Sequence, residues 1–356
     1  MTDIVQNLLQ QIDNGREGLN QGLSSGLPRL DELTYGITRE NITLVGGSSG
    51  SGKSSLTIYI SMYNAYKDFL EANGSIDIHW LIFSFEMSKT SLFLRLLSMH
   101  LLDEYGLVVP HSLLLSLTAP LPDEIYQKIQ NSIEWLNGLA ERCTIIDKPV
   151  TAKELYGQCK NFASQHGKFV EKASGIHNGE DWVSYDYVPN NPTQYLIVVV
   201  DHVKLFKTQS GHNAKQEIDE ACQYLIHFRD KCKFTIYIVQ QLNRGFQDMS
   251  RRIEAGGAYQ DIQLNDFSDT GDTVNASNTV LAIFYPFRER LSKWKDYIVE
   301  PKRGGLGECL RTISVLKNRD GNADKWDGIG FYGAAHIWRE LPLPQDINDY
   351  EKYTKL

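Results

Sequence analysis

Residues Gly47 to Ser55 read GSSGSGKSS. The stretch fits the pattern G-x-x-x-x-G-K-[ST], in which glycines let consecutive backbone N–H groups turn inward and surround the oxygens of a triphosphate. Lys53 would then reach the β- and γ-phosphates, and Ser54 would bind Mg²⁺. The candidate phosphate-binding residues are Gly47, Ser48, Ser49, Gly50, Ser51, Gly52, Lys53, Ser54 and Ser55.

The flanks of this loop decide between a phosphate cradle and a structural Gly/Ser turn, because so short a pattern also occurs by chance. Asn41 to Val45 is a short β-branched run that predicts a strand, and Ser55 to Met62 opens an apolar-periodic segment that predicts a helix. Strand, glycine loop and helix are the context that the pattern requires. The Lys-Ser pair also falls at the helix start, where the helix dipole favours an anion.

Composition limits the possible class of protein less strongly than this motif does. The chain has 356 residues, 42% of them hydrophobic, which is ordinary for a globular protein. It contains neither an apolar run of the ~20 residues needed to cross a bilayer nor a signal-peptide start, so we expect a cytoplasmic protein without a membrane partner. Five scattered cysteines suggest neither a disulfide framework nor a zinc site. The net charge of −8 does not favour nucleic acid, although a ring can still concentrate cations on one face.

The first residues predict an isolated amphipathic helix. In DIVQNLLQQID, residues 3 to 13, the apolar side chains share one helical face, and Asn14-Gly15 supplies a stop. A polar stretch follows, so this face would dock either on another subunit or on the body of its own chain.

From Gly26 onward strands and helices alternate, which is typical of an α/β fold: a largely parallel sheet with helices on both faces. Thr151 and Glu154 form a capping box that opens a helix to about Gln165, and another helix starts at Pro122 and continues through Leu136. Lys168 to Thr193 predicts a surface loop or hairpin. The predicted strands are Ile42 to Val45, Trp80 to Phe85, Cys143 to Ile146, Leu196 to Val200, Phe234 to Val239, Thr279 to Phe284 and Thr312 to Leu316.

Polar side chains follow several of these strands, where open α/β sheets bind their ligands. Asp201 ends the wholly apolar run Leu196 to Val200 and is the candidate Mg²⁺ ligand. Glu86 follows another strand and could orient a water in line with the γ-phosphate. Gln240 and Gln241 end a third strand, and spacing alone does not choose between them as the γ-phosphate sensor.

Several ordered motifs between about Gly26 and Arg339 resemble those of the DnaB-type hexameric replicative helicases, in their RecA-like C-terminal motor domain. The motifs are GLPRLDELTYG (26–36), SFEM (84–87), VDHVKL (200–205), QLNR (241–244) and KNRDG (317–321), which are similar to the family's G-x-x-x-L-D-x-x-x-x-G, S-L-E-M, I-D-Y-L-Q-L, Q-L-N-R and K-Q-R-N-G.

The resemblance implies a role for each motif. It makes Glu86 the catalytic base and selects Gln241 as the sensor, with ATP and Mg²⁺ as cofactors and Ser54 and Asp201 on the metal. It also implies that Lys317 and Arg319 reach into the ATP site of the neighbouring subunit. Two cations a residue apart on one strand end face the same side and could neutralise charge on a transferring phosphoryl group.

DNA contacts are implied by the same family, in which an R-E-S-G segment and backbone N–H groups grip one strand in a central channel. The matching stretch here has Ser268 in place of the arginine and keeps the glycine, as Ser268-Asp269-Thr270-Gly271. Ser268, Asp269 and Gly271 are therefore candidate DNA-binding residues. Arg251 and Arg252, earlier in the same loop, could compensate for the lost charge.

The domain organisation expected from these motifs is a linker helix with its connector at 1–25, the motor domain at 26–341 with an insert at 168–193, and a tail at 342–356. The family's N-terminal primase-contacting domain has no counterpart in this layout, which suggests a helicase of a phage or another mobile element. The first helix looks like the family's linker helix, which packs on the adjacent motor domain.

The sequence therefore predicts an ATP-dependent DNA helicase: a hexameric ring that moves 5′ to 3′ on single-stranded DNA during replication, with a primase or helicase loader as a possible further partner. Two other classes stay open. A RecA-like recombinase or filament protein would share the loop, the glutamate and the Asp201 strand, while a non-translocating regulatory or loading ATPase fits the missing channel arginine.

Overall fold

The computed structural model describes residues 3–17, 20–177, 180–243, 261–323 and 325–356. A nine-stranded sheet forms the centre of the fold. Its strands are β1 (Asn41–Gly47), β2 (Asp77–Ser84), β3 (Cys143–Ile146), β6 (Gln194–Asp201), β7 (Thr235–Gln241), β8 (Thr279–Phe284), β11 (Leu310–Asn318), β12 (Lys325–Tyr332) and β13 (Ile337–Glu340). Their order across the sheet is β13-β12-β11-β8-β1-β7-β6-β2-β3. Two small hairpins lie outside it, β4 (Gly167–His177) with β5 (Glu180–Pro189) and β9 (Lys293–Trp294) with β10 (Tyr297–Ile298).

The α-helices of the described residues connect these strands. They are α1 (Asp3–Arg16), α2 (Pro28–Thr34), α3 (Lys53–Ile58), α4 (Ala65–Glu71), α5 (Lys89–Tyr105), α6 (His111–Leu114), α7 (Asp123–Asn131), α8 (Ile133–Ala140), α9 (Ala152–His166), α10 (Ala214–Cys232) and α11 (Gly271–Ala276). Across this part of the chain, no helix combines the length and apolar character needed to span a bilayer.

Each face of the sheet packs on its own set of helices because side chains alternate along a strand. Phe83 and Val200 join a core that includes Phe228 of α10, while Ile82 and Val199 join a second core on the opposite face. Fully burying one such side chain contributes ~1.5–3 kcal/mol. Two packed faces explain why the central strands are apolar along their whole length, and the predicted α/β class is confirmed.

The starts of the helices agree with the sequence predictions more closely than the ends do. The Thr151–Glu154 capping box is present, and Ser88 caps α5 by accepting from the Ser91 N–H. Two predictions were wrong. The first helix runs through Asn14-Gly15 to Arg16, because one glycine costs a helix only ~1 kcal/mol, and the helix expected from Pro122 to Leu136 is divided at Ser132 into α7 and α8.

The helix that begins at the phosphate loop contains a π-helical turn over Tyr59–Asn64. Its wider turn frees carbonyls that need donors from elsewhere. The Trp80 indole N–H donates to the Ser61 carbonyl over 2.6 Å, and the Asn64 amide donates to the Tyr59 carbonyl over 2.8 Å. The turn is thereby fixed to β2.

The excursion between α9 and β6 is the antiparallel hairpin β4–β5. Of the loop and the hairpin that the sequence left open, the structure shows the hairpin. Phe169 and Tyr187 pair across it and pack against the main core, and the Tyr187 hydroxyl donates to the Ala163 carbonyl. Val170 and Val188 of this hairpin are exposed.

Strand directions give the sheet two different edges. The strands β1, β2, β6, β7 and β8 are parallel, and we call the edge at which they end the phosphate edge and the edge at which they begin the far edge. β11 is antiparallel to β8, so it begins at the phosphate edge and ends at the far edge.

Candidate nucleotide site

The phosphate loop joins β1, the central strand of the sheet, to α3. Gly50 and Gly52 have φ angles of +73° and +104°, which other residues rarely adopt. A Cβ at Gly52 would lie 2.7 Å from the ring of Trp338, which also donates weakly to the Ser55 hydroxyl over 3.4 Å. The loop is therefore closed against β13 and has room only for glycine at this position.

Lys53 begins α3 and is only 7% exposed. Its ammonium donates to the Ser48 carbonyl over 2.8 Å, across the loop. Burial lowers the pKa of Lys53 to about 8, although the carboxylates of Asp201 and Glu86 oppose that shift. A cation held in this way is ready to exchange a carbonyl for a phosphate oxygen.

Asp201 ends β6 at 4% exposure and is hydrogen-bonded with the Ser54 hydroxyl. Burial raises its pKa, Glu86 adds to the rise, and the Ser54 hydrogen bond and Lys53 oppose it. Its Oδ1 is buried without a hydrogen-bond partner among the described residues. Because Mg²⁺ prefers oxygen ligands, a carboxylate and a hydroxyl with an unused oxygen fit this ion.

Glu86 follows β2 and keeps 59% of its side chain exposed, beside these groups. The imidazole Nε2 of His202 lies 3.9 Å from a Glu86 oxygen. Burial lowers the pKa of His202, while Glu86 opposes the shift. A carboxylate that is open to solvent can accept a proton from water.

The two glutamines at the end of β7 have different surroundings. Gln240 is fully buried, and its amide group bonds to Phe267 and Thr273. Gln241 is half-buried and lies beside Gly47, where the phosphate loop begins. The geometry thus favours Gln241 for contact with a phosphate.

Lys317 and Arg319 lie at the far edge. Lys317 pairs with Val280, which pairs with Leu44, three positions before Gly47 and so about 10 Å back along the strands. The Lys317 ammonium donates to the Val274 carbonyl over 2.7 Å, and the Arg319 guanidinium to the Asn275 carbonyl over 2.9 Å. Neither side chain is brought to the phosphate loop of its own chain.

Two other arginines do hold that loop, and the sequence did not single them out. Arg288 donates to the Ser49 carbonyl. Arg311, 4% exposed, donates to the Ser51 carbonyl over 3.0 Å and stacks 3.2 Å from the ring centre of Tyr285. Burial lowers the pKa of Arg311 to about 10. Both arginines therefore anchor carbonyls of the loop backbone.

Only some of the candidate DNA residues lie within the described part of the chain. Arg251 and Arg252 lie outside the described residues, as does Arg244. Ser268 and Asp269 belong to a 3₁₀-helix over Leu264–Thr270 that leads directly into α11 at Gly271.

Comparisons with known proteins relate this chain to one group of helicases. Residues 22–170 match the family described as "DnaB-like helicase C terminal domain". Among related proteins, the "Replicative DNA helicase DnaB" of Leifsonia xyli subsp. xyli is 20% identical over 90% of this chain and 57% of its own length. The protein of the same name from Nostoc sp. is 21% identical over 99% of this chain and 37% of its own. The chain thus spans between about a third and somewhat over half of these relatives.

Solved structures show the same fold. A solved ATPase domain aligns with a TM-score of 0.64 at 14% identity, over 96% of this chain and 100% of that one. A structure described as a DnaB-like replicative helicase and its interactions with primase gives a TM-score of 0.63 at 14% identity, over 96% and 68%. The predicted RecA-like fold is confirmed, and the chain is similar to the DnaB-like helicases over part of its length, in agreement with the resemblance seen in the sequence.

Proposed function

We propose that this chain is an ATP-hydrolysing DNA helicase that works as a homohexameric ring, moves 5′ to 3′ on single-stranded DNA and unwinds duplex during replication. The proposal rests on where the candidate catalytic residues lie, since they are divided between the two edges of the sheet. Lys53, Asp201 and Glu86 meet at the phosphate edge, while Lys317 and Arg319 lie at the far edge of the same chain. A second copy would complete the site.

Within that site each residue has a physical role. The loop amides and Lys53 would bind the phosphates, and Gln241 would sense the γ-phosphate. Ser54 and Asp201 would hold Mg²⁺, which supplies neutralisation of the phosphate charge. Glu86 would orient the attacking water and accept its proton, and the partner's cations would stabilise charge that develops on the transferred group.

The remaining assignments rest on the resemblance. We propose three units: a linker helix with its connector at 1–25, the motor domain at 26–341 with its insert at 168–193, and the tail at 342–356. Ser268, Asp269 and Gly271 would contact the DNA, together with Arg251 and Arg252. The protein would act in the cytoplasm. A primase or loader is the further partner that we propose.

Unwinding of a forked duplex tests the function directly. Substrates with only a 5′ or only a 3′ single-stranded tail are incubated with ATP and Mg²⁺, and strand release and hydrolysis are measured together. We expect release only with the 5′ tail and faster hydrolysis with single-stranded DNA. The serine at position 268 gives some support to a regulatory ATPase, for which hydrolysis would be independent of DNA and no strand would be released. Filaments without unwinding would instead indicate a recombinase.

A further inference from the structure

Gln240 has no role in the proposed phosphate chemistry. It lies between the strand that precedes the phosphate loop and the segment that carries the candidate DNA residues. It is 0% exposed and pairs with Gly46 of β1, one residue before the phosphate loop. A buried amide carries donors and an acceptor that all need partners. The hydrogen-bond partners of Gln240 therefore show which segments this side chain connects.

Both ends of the Gln240 amide bond to the segment that carries the candidate DNA residues. Its Nε2 donates to the Phe267 carbonyl over 3.1 Å, and its Oε1 accepts from the Thr273 hydroxyl over 2.6 Å. Phe267 directly precedes Ser268, and Thr273 is two residues beyond Gly271. One side chain thus holds this segment on both sides.

A second contact joins the same segment to the strand before the phosphate loop. Phe267 is fully buried, and a Cβ at Gly46 would overlap its ring. Further along, the Asn243 N–H, two residues after Gln241, donates to the Asp266 carbonyl over 2.8 Å. The segment at 266–273 is thus fixed to β1 and β7 at the points where these strands meet the nucleotide site.

We propose that Gln240 and Thr273 are positioning residues that couple DNA binding at the 268–271 segment to ATP hydrolysis, an inference that rests on the proposed function. A displacement of this segment by DNA acts through the Gln240 amide on β7, whose next residue is Gln241. Movement of Gln241 towards a γ-phosphate would act back through the same two hydrogen bonds. Such coupling is reciprocal because it is one free energy shared by two binding events.

Thr273→Val tests this coupling, because valine keeps the shape of threonine and removes the hydroxyl donor. We expect basal hydrolysis near that of the wild type, while stimulation by single-stranded DNA, measured as the ratio of kcat with and without oligo(dT), falls about fivefold or more. We also expect a smaller gain in oligo(dT) affinity from a non-hydrolysable ATP analogue, because that gain is the binding free energy that the two sites share. Thr273→Ser, which keeps the hydroxyl, should retain both ratios.

Ser277→Ala is the matched control. The Ser277 hydroxyl is also buried and donates to the Thr273 carbonyl over 2.7 Å, but the bond does not involve Gln240. Wild-type ratios in Thr273→Val would overturn the coupling, and so would an equal loss of stimulation in Ser277→Ala, since general destabilisation would then explain both. Hydrolysis by the wild-type protein that DNA does not stimulate would instead refute the proposed function itself.

Discussion

The two edges of the sheet carry different sets of charged side chains, which the proposed function treats as two halves of one site. At the phosphate edge, four parallel strands place a buried lysine, a buried aspartate, a glutamate and a glutamine around one loop. At the far edge, β11 ends in two cations that bond to backbone carbonyls of α11. The difference teaches that strand direction decides which side chains can reach the phosphate loop of their own chain, and that those at the far edge could reach only the loop of a second copy.

Lys53→Ala removes the cation of the phosphate edge and should have the largest effect. We expect ATP hydrolysis to fall below detection, because no other side chain of α3 places a positive charge at the loop. Phosphate release and nucleotide binding are the measurements. The folded state should persist by circular dichroism, and hydrolysis close to the wild-type rate would contradict the phosphate-binding role.

Arg319→Ala breaks the far edge alone. Hydrolysis should fall about 10³-fold, as for the loss of an arginine that stabilises a phosphoryl-transfer transition state, while nucleotide affinity changes little. Mixing Arg319→Ala with Glu86→Ala subunits should restore part of the activity, because some interfaces then receive both residues intact. Mixtures without any recovery would show that the two edges do not form one site.

Arg288→Gln sharpens the comparison within the phosphate edge. Loss of one hydrogen bond to the Ser49 carbonyl loosens the loop, so the KM for ATP should rise roughly 2- to 10-fold with a smaller change in kcat. Arg290→Gln, in the same exposed turn, is the matched control and should leave both constants unchanged. Equal effects of the two substitutions would point to general surface charge.

A pH dependence of the stability should arise at the far edge. His166 stacks on His79 of β2 with ring centres 3.9 Å apart, and burial, with His79 adding, lowers the pKa of His166 from 6.5 to about 4. The unfolded chain therefore takes up this proton first, so the stability is complete above about pH 6.5 and is lost as the pH falls towards 4. In urea unfolding, His166→Asn should show a shallower loss of stability over this range, and an unchanged slope would refute the assignment.

Much of the phosphate edge could be predicted because local patterns determine it. The glycine loop can be recognised from its own pattern and from the strand and helix on either side. Asp201 and Glu86 can be recognised because they follow apolar runs whose periodicity and length predict strands. The predicted strands all form, although β7 extends through Gln240 and Gln241.

The contacts of Arg288, Arg311 and Trp338 with the loop were not predictable in this way. Arg288 reaches the loop because it follows β8, which pairs with β1. Arg311 and Trp338 reach it because β11 adds antiparallel to β8 and β12 and β13 continue the antiparallel pairing outward. No local pattern in the charged and glycine-rich stretch before β11 encodes that pairing. Tertiary packing likewise separates the buried Gln240 from the half-buried Gln241, which sequence spacing had left equal.

The position of β1 in the middle of the sheet has a consequence for synthesis of the chain. Its neighbours are β7, which starts at Thr235, and β8, which starts at Thr279, so the strand before the phosphate loop has no partner until those residues leave the ribosome. At translation rates of roughly 5–20 residues per second, that interval lasts about 10–40 s. An apolar strand left unpaired for so long is prone to aggregation, so we expect the strand order of this fold to make the nascent chain depend on chaperones.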